Sequence, residues 1–311
     1  MSRIVVAGDA LVDLIIRPDG SIAAAGGGGE YNASRAIGRQ GGAVAFLGRI
    51  SRDRFGRDLR AGLAQDGVDL GLVIETDDPT TLALAELDAS GAASYRFYTA
   101  ATSAPGLTAA EALRALDPLP AALHVGTLGL LLRPMADAIA GLVAATPPGL
   151  LVMVDPNIRP LVIDDPRGYR ERLTRVLARA DIVKASTEDL AWLAPGDDPV
   201  AAARALVADG AGVVLVTDGP GPVRAVGDGW ERTIPTPSVQ VADTVGAGDT
   251  FGGTFLLAWV TSGRGRSGLR DATAVTETTR RAATAAAIAC TRVGAEPPTR
   301  EELEAALAAS R

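Results

Sequence analysis

One cysteine, one histidine and one lysine occur among the 311 residues, and each scarcity closes off a class of chemistry. Cys290 alone cannot form an intrachain disulfide, which fits a reducing cytoplasm. It lies in an alanine-rich helical stretch and reads as a small buried hydrophobe. His124, within Leu123-His124-Val125-Gly126, leaves no multi-histidine metal centre and gives no support to a His-based nucleophilic triad. Lys184 is followed by Ala185, so there is no Gly-Lys-Ser or Gly-Lys-Thr and no P-loop; ATP, if used, is held by another fold. No apolar run reaches the roughly 18 residues of a membrane span. Met1 to Gly8 enters a strand-like run without a charged leader or cleavage site, so the expectation is a cytoplasmic protein with no membrane partner. A net charge of −7 argues against a nucleic-acid partner.

What remains is ample for a sizeable core. The length and 47% hydrophobic residues allow one large α/β domain or two ordinary ones. Short apolar runs at 4–7, 43–47, 122–125, 150–154, 182–183 and 213–216 predict buried strands. Between them, helical patterns cover 30–39, 54–66, 133–144, 169–180 and 200–209, with more at 250–260, 271–291 and 300–308. This alternation predicts a mostly parallel sheet with helices on both faces, whose site lies outside the carboxyl ends of the strands. Two regions break the rhythm. Residues 11–16 form a second extended run, and 80–88 with 93–99 resemble a hairpin around Ser90-Gly91. They predict a small separate sheet. No internal repeat, long linker or domain boundary is visible.

The most informative stretch is Asp243-Thr244-Val245-Gly246-Ala247-Gly248-Asp249, opening onto the apolar run from Thr250 to Trp259. Small residues at a helix N-terminus leave backbone N–H groups open to an anion. Asp249 beside such a cradle is a poor choice for passive phosphate binding, because like charges repel. It suits a base that takes a proton from a hydroxyl as that hydroxyl attacks the phosphate. A helix cap would explain a lone Gly-Ala-Gly-Asp; the full run points to phosphoryl transfer.

Other clusters sit at predicted strand ends. Gly26-Gly27-Gly28-Gly29-Glu30-Tyr31-Asn32 precedes the first strong helix, where glycines let backbone approach a ligand and Asn32 offers both donor and acceptor. It lies too far from the first strand for a dinucleotide fingerprint, so a dinucleotide-dependent oxidoreductase is disfavoured. Asp9 and Asp13 follow that strand; ionised carboxylates there accept hydrogen bonds from a polyol. Asp155-Pro156-Asn157-Ile158-Arg159-Pro160 is a stiffened polar strand end, with Arg159 suited to an anion. In Lys184-Ala185-Ser186-Thr187-Glu188-Asp189, a helix cap and a functional acid explain the same letters.

Taken together, these motifs resemble the PfkB, or ribokinase-like, family of sugar and nucleoside kinases across nearly the whole chain. The resemblance implies an α/β fold: a ribokinase-like three-layer sandwich with a mostly parallel central sheet and a small β-sheet lid. It implies one kinase domain over residues 1–311, with the lid from about 10–22 and 74–101. It implies that Asp249 is the base and that Gly246, Ala247 and Gly248 form the anion hole. Asp13, Gly28, Asn32, Tyr98, Asn157 and Arg159 would hold the sugar. Lys184, Ser186, Thr217, Gly219, Gly221 and Gly248 would serve ATP. Glu188 or Asp189 would organise Mg²⁺ through water, and Asp243, Thr291 and Gly294 would serve K⁺. Ser186 stands where the family carries Asn, Thr254 where it usually has Ala or Gly, and Glu30-Tyr31 departs from the sugar-kinase pattern. The Asp155–Pro160 and Tyr95–Tyr98 stretches look fructokinase-like, so fructose is the favoured substrate. A 2-keto-3-deoxygluconate kinase and a catalytically silent sugar- or nucleotide-binding protein are the alternatives. The edges of a lid sheet favour a homodimer.

Overall fold

Runs such as Ile-Val-Val-Ala at 4–7 are apolar on both faces and too short for a stable helix, so they become interior strands. In the computed structural model, which describes residues 2–88 and 93–309, thirteen strands form. They are β1 (Ile4–Ala7), β2 (Leu11–Ile16), β3 (Ile22–Gly27), β4 (Val44–Ser51), β5 (Val73–Thr76), β6 (Leu82–Leu87) and β7 (Ala93–Tyr98). Then come β8 (Ala122–Gly126), β9 (Leu151–Asp155), β10 (Ile182–Ser186), β11 (Val213–Thr217), β12 (Val223–Gly227) and β13 (Trp230–Ile234). The helices are α1 (Gly29–Arg39), α2 (Arg54–Gln65), α3 (Ala109–Ala112), α4 (Met135–Ala145) and α5 (Pro166–Arg179). They continue as α6 (Thr187–Leu193), α7 (Pro199–Ala208), α8 (Ala247–Thr261), α9 (Ala272–Cys290) and α10 (Arg300–Ala309).

Nine strands make one sheet in the order β13-β12-β11-β10-β9-β8-β1-β4-β5. It is parallel except where β12 and β13 add an antiparallel edge. From β1 the chain builds outward through β4 and β5 on one side and through β8 to β11 on the other. The order therefore reverses between β1 and β8, the place where a crevice opens at the strands' carboxyl ends. Alternate side chains feed two cores. Val5 and Ala7 join one with Leu123, Val152 and the α4 and α5 faces; Ile4 and Val6 join the other with Phe46, Phe255 and Trp259. The four remaining strands form a second sheet, β3-β2-β6-β7, in which only β2 and β6 run parallel.

The sequence reading locates most of these elements to within a few residues. It misses β3, β5, β12, β13, α3 and α6. The sequence of β3, Ile-Ala-Ala-Ala-Gly-Gly, has weak strand propensity and is held by full antiparallel pairing with β2. The pair β12 and β13 is a hairpin whose outer strand, Trp-Glu-Arg-Thr-Ile, is polar and only half-buried or exposed before Ile234 instead of forming an apolar run. The anticipated Ser90-Gly91 turn lies outside the described residues.

Asp181 ties several layers together. It is 1% exposed, accepts the Val152 N–H at 2.7 Å, and pairs with Arg179 and Arg266. Removing this buried acid leaves the Val152 N–H without its acceptor and both guanidiniums without their carboxylate, each keeping only backbone carbonyls. Asp181→Ala should lower unfolding free energy by about 3 kcal/mol, read as a drop in denaturant midpoint at unchanged slope.

Candidate active site

Strands β1, β8, β9, β10 and β11 run parallel and deliver their last residues to one crevice. Asp9, Thr127, Asp155, Lys184 and Thr217 are thereby placed by the register of the sheet. From the other side, α8 packs against α1 and brings its first turn over the strand ends. Gly246 is the N-cap of α8 at φ 73°, a left-handed conformation that favours glycine. A Cβ there would lie 2.5 Å from that of Ala295. The turn can therefore close only with glycine, and it sets the N–H groups of Ala247, Gly248 and Asp249 in a first turn that has no intrahelical acceptors.

Asp249 lies in this turn, and its Oδ2 accepts a hydrogen bond from Asn32 Nδ2 at 2.9 Å. Burial of the carboxyl, reinforced by the charge of Asp155, pushes its pKa up to about 7, while Asn32, Lys184 and Arg159 pull it down. Such a carboxyl exchanges its proton near neutral pH, which is what a general base requires. Lys184 Nζ donates to Asp155 Oδ2 at 2.9 Å, with both side chains buried. Burial works against the ammonium, but Asp155, Asp189 and Asp249 together hold its pKa above the usual lysine value. The same Nζ would be 2.8 Å from a Cβ at Gly248, so the ammonium lies directly beneath the cradle.

The glycine run has a residue-by-residue reason. A side chain at Gly27 would collide with Asp13 Oδ2, one at Gly28 would lie 2.7 Å from Asp9 Oδ2, and one at Gly29 would collide with Thr127 Oγ1. Gly28 caps α1 at φ 106°. The run thus lets the backbone settle onto three polar side chains and points α1 at the crevice. Asp13 is half-buried, and burial, with the charge of Asp9 next, raises its carboxyl to about 6. Asn157 and Thr127 adopt left-handed φ of 38° and 42° and are joined by Asn157 Nδ2 donating to Thr127 Oγ1 at 3.3 Å. Two such non-glycine residues side by side are the kind of backbone strain found at functional sites. Arg159 is exposed at the rim, and its charge acts on Asp9, Asp13, Asp155 and Asp249.

Several predicted residues take more specific places. Asp189 is buried, completes a capping box with Ser186 and accepts the Ile158 N–H at 2.7 Å, so both its oxygens are engaged. Glu188 is exposed beside it. Thr217 ends β11; the following turn carries Gly219 at φ 49° and closes through the Gly221 N–H on Asp218. Asp243 accepts N–H groups from Val245 and Gly294 at 3.0 and 2.8 Å, stitching the cradle loop to the Thr291–Gly294 turn. Tyr98 does not join the site. It pairs with Leu82, opposite Val12, whereas Asp13 shares its face with Ala83 and Phe97. Strand alternation therefore puts Tyr98 on the other face, where it is 52% exposed. Tyr31 is buried in the core with Ile37 and Phe46, and Glu30 is buried against Gly8 and Gly126 among the charges of Asp9, Asp155 and Asp249. Sequence reasoning marks Glu30 as a departure from the pattern and gives it no role.

The comparisons agree with this geometry. Residues 1–302 match the model of the pfkB family carbohydrate kinases. The chain is 34% identical over 259 residues to a fructokinase of Rhizobium leguminosarum bv. trifolii, covering 82% of this chain and 79% of that one. Among solved structures it is similar to a fructokinase with bound ATP from Xylella fastidiosa, with a TM-score of 0.90 and 29% identity, covering 99% and 98% of the two chains. It is also similar to a fructokinase from Vibrio cholerae O395 in fructose-, ADP- and calcium-bound form, with a TM-score of 0.85 and 26% identity over 99% of each.

The Asn32 hydrogen bond is made to the ionised form of Asp249 and lowers its pKa. Asn32→Leu should therefore raise the pKa of Asp249 above about 7 and, with the base role proposed below, shift the acid limb of kcat/KM to higher pH. A pH–rate profile of both proteins checks this.

Proposed function

We propose that this chain, which belongs to the pfkB family of carbohydrate kinases, transfers the γ-phosphoryl group of ATP to a hydroxyl of fructose or a closely related monosaccharide. The observation that carries the reading is the pairing of a titratable acid, Asp249, with an anion-binding helix start in the same turn. Asp249 takes the proton of the sugar hydroxyl, and the oxygen so released attacks the γ-phosphorus as its bond to ADP breaks. The Gly246, Ala247 and Gly248 backbone and the Lys184 ammonium face the charge that builds on the transferred group. Asp13, Gly28, Asn32, Asn157 and Arg159 surround the space left for the sugar. Fructose is favoured because curated relatives about a third identical to this chain are fructokinases, as is the similar solved structure with bound ATP.

The turn of Thr217, Gly219 and Gly221, with Ser186 at the next strand end, is the open backbone suited to the nucleotide. Mg²⁺, when bound with ATP, neutralises phosphate charge; Glu188, exposed and free of the capping box that occupies Asp189, is the acid fitted to hold it through water. Asp243 gives its loop the negative charge that a monovalent cation needs, so K⁺ is assigned to the turn of Asp243, Thr291 and Gly294. The second sheet would act as the lid over the sugar, within one kinase domain. Its exposed Ile22, Tyr95 and Tyr98 suit pairing with a second copy in the cytoplasm. A second reading, a kinase of 2-keto-3-deoxygluconate, is favoured by Arg159 alone, whose guanidinium at the rim would meet a sugar carboxylate.

ADP release with MgATP and K⁺ should be strong for fructose, weaker for tagatose and 2-keto-3-deoxygluconate, and negligible for ribose and adenosine. Asp249→Asn should lower kcat roughly 10²–10⁴-fold while leaving the circular dichroism spectrum unchanged. Near-native turnover in that variant would overturn the assignment.

A further inference from the structure

Behind the sugar-facing residues lies a pair of acids that the reaction does not use. Asp9 and Glu30 are both 0% exposed. Their carboxyls meet at hydrogen-bonding range; the Asp9 carboxyl also lies near the backbone N–H groups of Asp9 and Gly129, whereas no other side-chain or backbone donor reaches Glu30. The space around them is closed by backbone. A Cβ at Gly8 would lie 2.5 Å from Glu30 Cγ, one at Gly126 would lie 2.9 Å from Glu30 Oε1, and one at Gly28 would lie 2.7 Å from Asp9 Oδ2. Neither acid can turn to water. The charges facing Glu30 from the packed elements are those of Asp9 at the end of β1, Asp155 at the end of β9 and Asp249 in α8. The cations are Lys184, bonded to Asp155, and Arg159, which acts on Asp9.

An ionised carboxylate has no proton to donate, so two of them in contact inside a protein repel, and an ionised Glu30 would have no donor at all. One proton between them converts the repulsion into a charge-assisted hydrogen bond. We propose that Asp9 and Glu30 share one proton, carried on Glu30 and donated to Asp9, and that this pair is the positioning element that sets α1 against Asp249. The route is short. The Asp9 carbonyl accepts the Tyr31 N–H at 3.2 Å, and Asp9 Oδ2 abuts Gly28, the N-cap of α1. Asn32, one turn along, then donates to Asp249. Loss of the shared proton forces the two acids apart and moves the start of α1, and Asn32 with it. Glu30 thus acts through Asn32 on the reaction and touches neither sugar nor phosphate.

The proton count stands apart from the proposed reaction; the kinetic consequence rests on it. An acid that keeps its proton in the folded state after the unfolded chain has released it makes stability fall as pH rises through that interval. Asp13 and Asp249, at about 6 and 7, contribute to that slope near neutrality, and Asp155, Cys290, Tyr31 and Tyr169, all raised by burial, contribute as well, so the share of the pair is the difference between the wild type and Glu30→Gln. Infrared spectroscopy of the wild-type protein above neutrality should show the carbonyl stretch of one un-ionised carboxylic acid. Glu30→Gln, whose amide still donates to Asp9, should abolish that band and flatten the alkaline decline in Tm. Glu30→Ala should lower kcat/KM by about 10–100-fold; Glu30→Gln should restore most of it and remove the alkaline limb of the pH profile. No acid band in the wild type, a band that survives Glu30→Gln, or Tm curves of equal slope would overturn the proposal. Because the infrared and Tm readouts need no substrate, they stand or fall separately from turnover on fructose.

Discussion

Five carboxyl groups gathered at one end of a parallel sheet are the constraint around which this site is built. Asp9 follows β1, Asp13, Glu30, Asp155 and Asp249 come from β2, α1, β9 and α8, and among the described residues the cations acting on them are Lys184 and Arg159. Bringing them together in partial burial would be prohibitive if all were ionised. Each is settled by a different device. Asp155 is neutralised by a buried ion pair, Asp249 is held between an amide donor and an elevated pKa, and Asp13 keeps contact with solvent. Asp9 and Glu30 settle each other. The variety of solutions lets neighbouring acids differ in protonation at one pH, and that difference separates a base from a ligand.

The backbone follows from the same constraint. Three consecutive glycines, Gly27, Gly28 and Gly29, each occupy a place where a Cβ would strike a polar side chain of the site. Their absence of bulk is therefore spent on close approach to Asp13, Asp9 and Thr127, with a left-handed φ required only at Gly28. The price of so much glycine is a weak β3, which survives because β2 pairs with it along its full length.

The central strands were legible because burial on both faces leaves an uninterrupted apolar run, as in β1, β9 and β11. Asp249 and its cradle were legible because a helix start with small residues and one acid is a local pattern. Elements stabilised by partners were not. Strand β3 depends on pairing, and β13 is an edge strand whose polar Glu231-Arg232-Thr233 conceals the strand period. Tyr98 was misplaced for a related reason: sequence alternation gives two faces, but only the register with Leu82 and Val12 tells which one meets Asp13. Glu30 was seen as a departure from the expected pattern. Its burial against Asp9 is a contact across separate elements that spacing along the chain does not encode.

Lys184 shows how far one substitution class can be argued from packing. Every other basic side chain in the protein is arginine. A guanidinium is planar and wide, and it spreads its charge over a fork; an ammonium is compact and concentrates it on one atom. The position beneath Gly248 leaves 2.8 Å between Nζ and the place where a Cβ would stand, with Asp155 2.9 Å away on the other side. His124, buried nearby, has its pKa lowered to about 4, first by burial and then by the Lys184 charge, so it stays neutral and does not compete for Asp155. A point charge thus fits where a fork would not. The only lysine in the chain stands between Asp155 and the backbone of Gly248, where a compact positive charge is what the packing accepts.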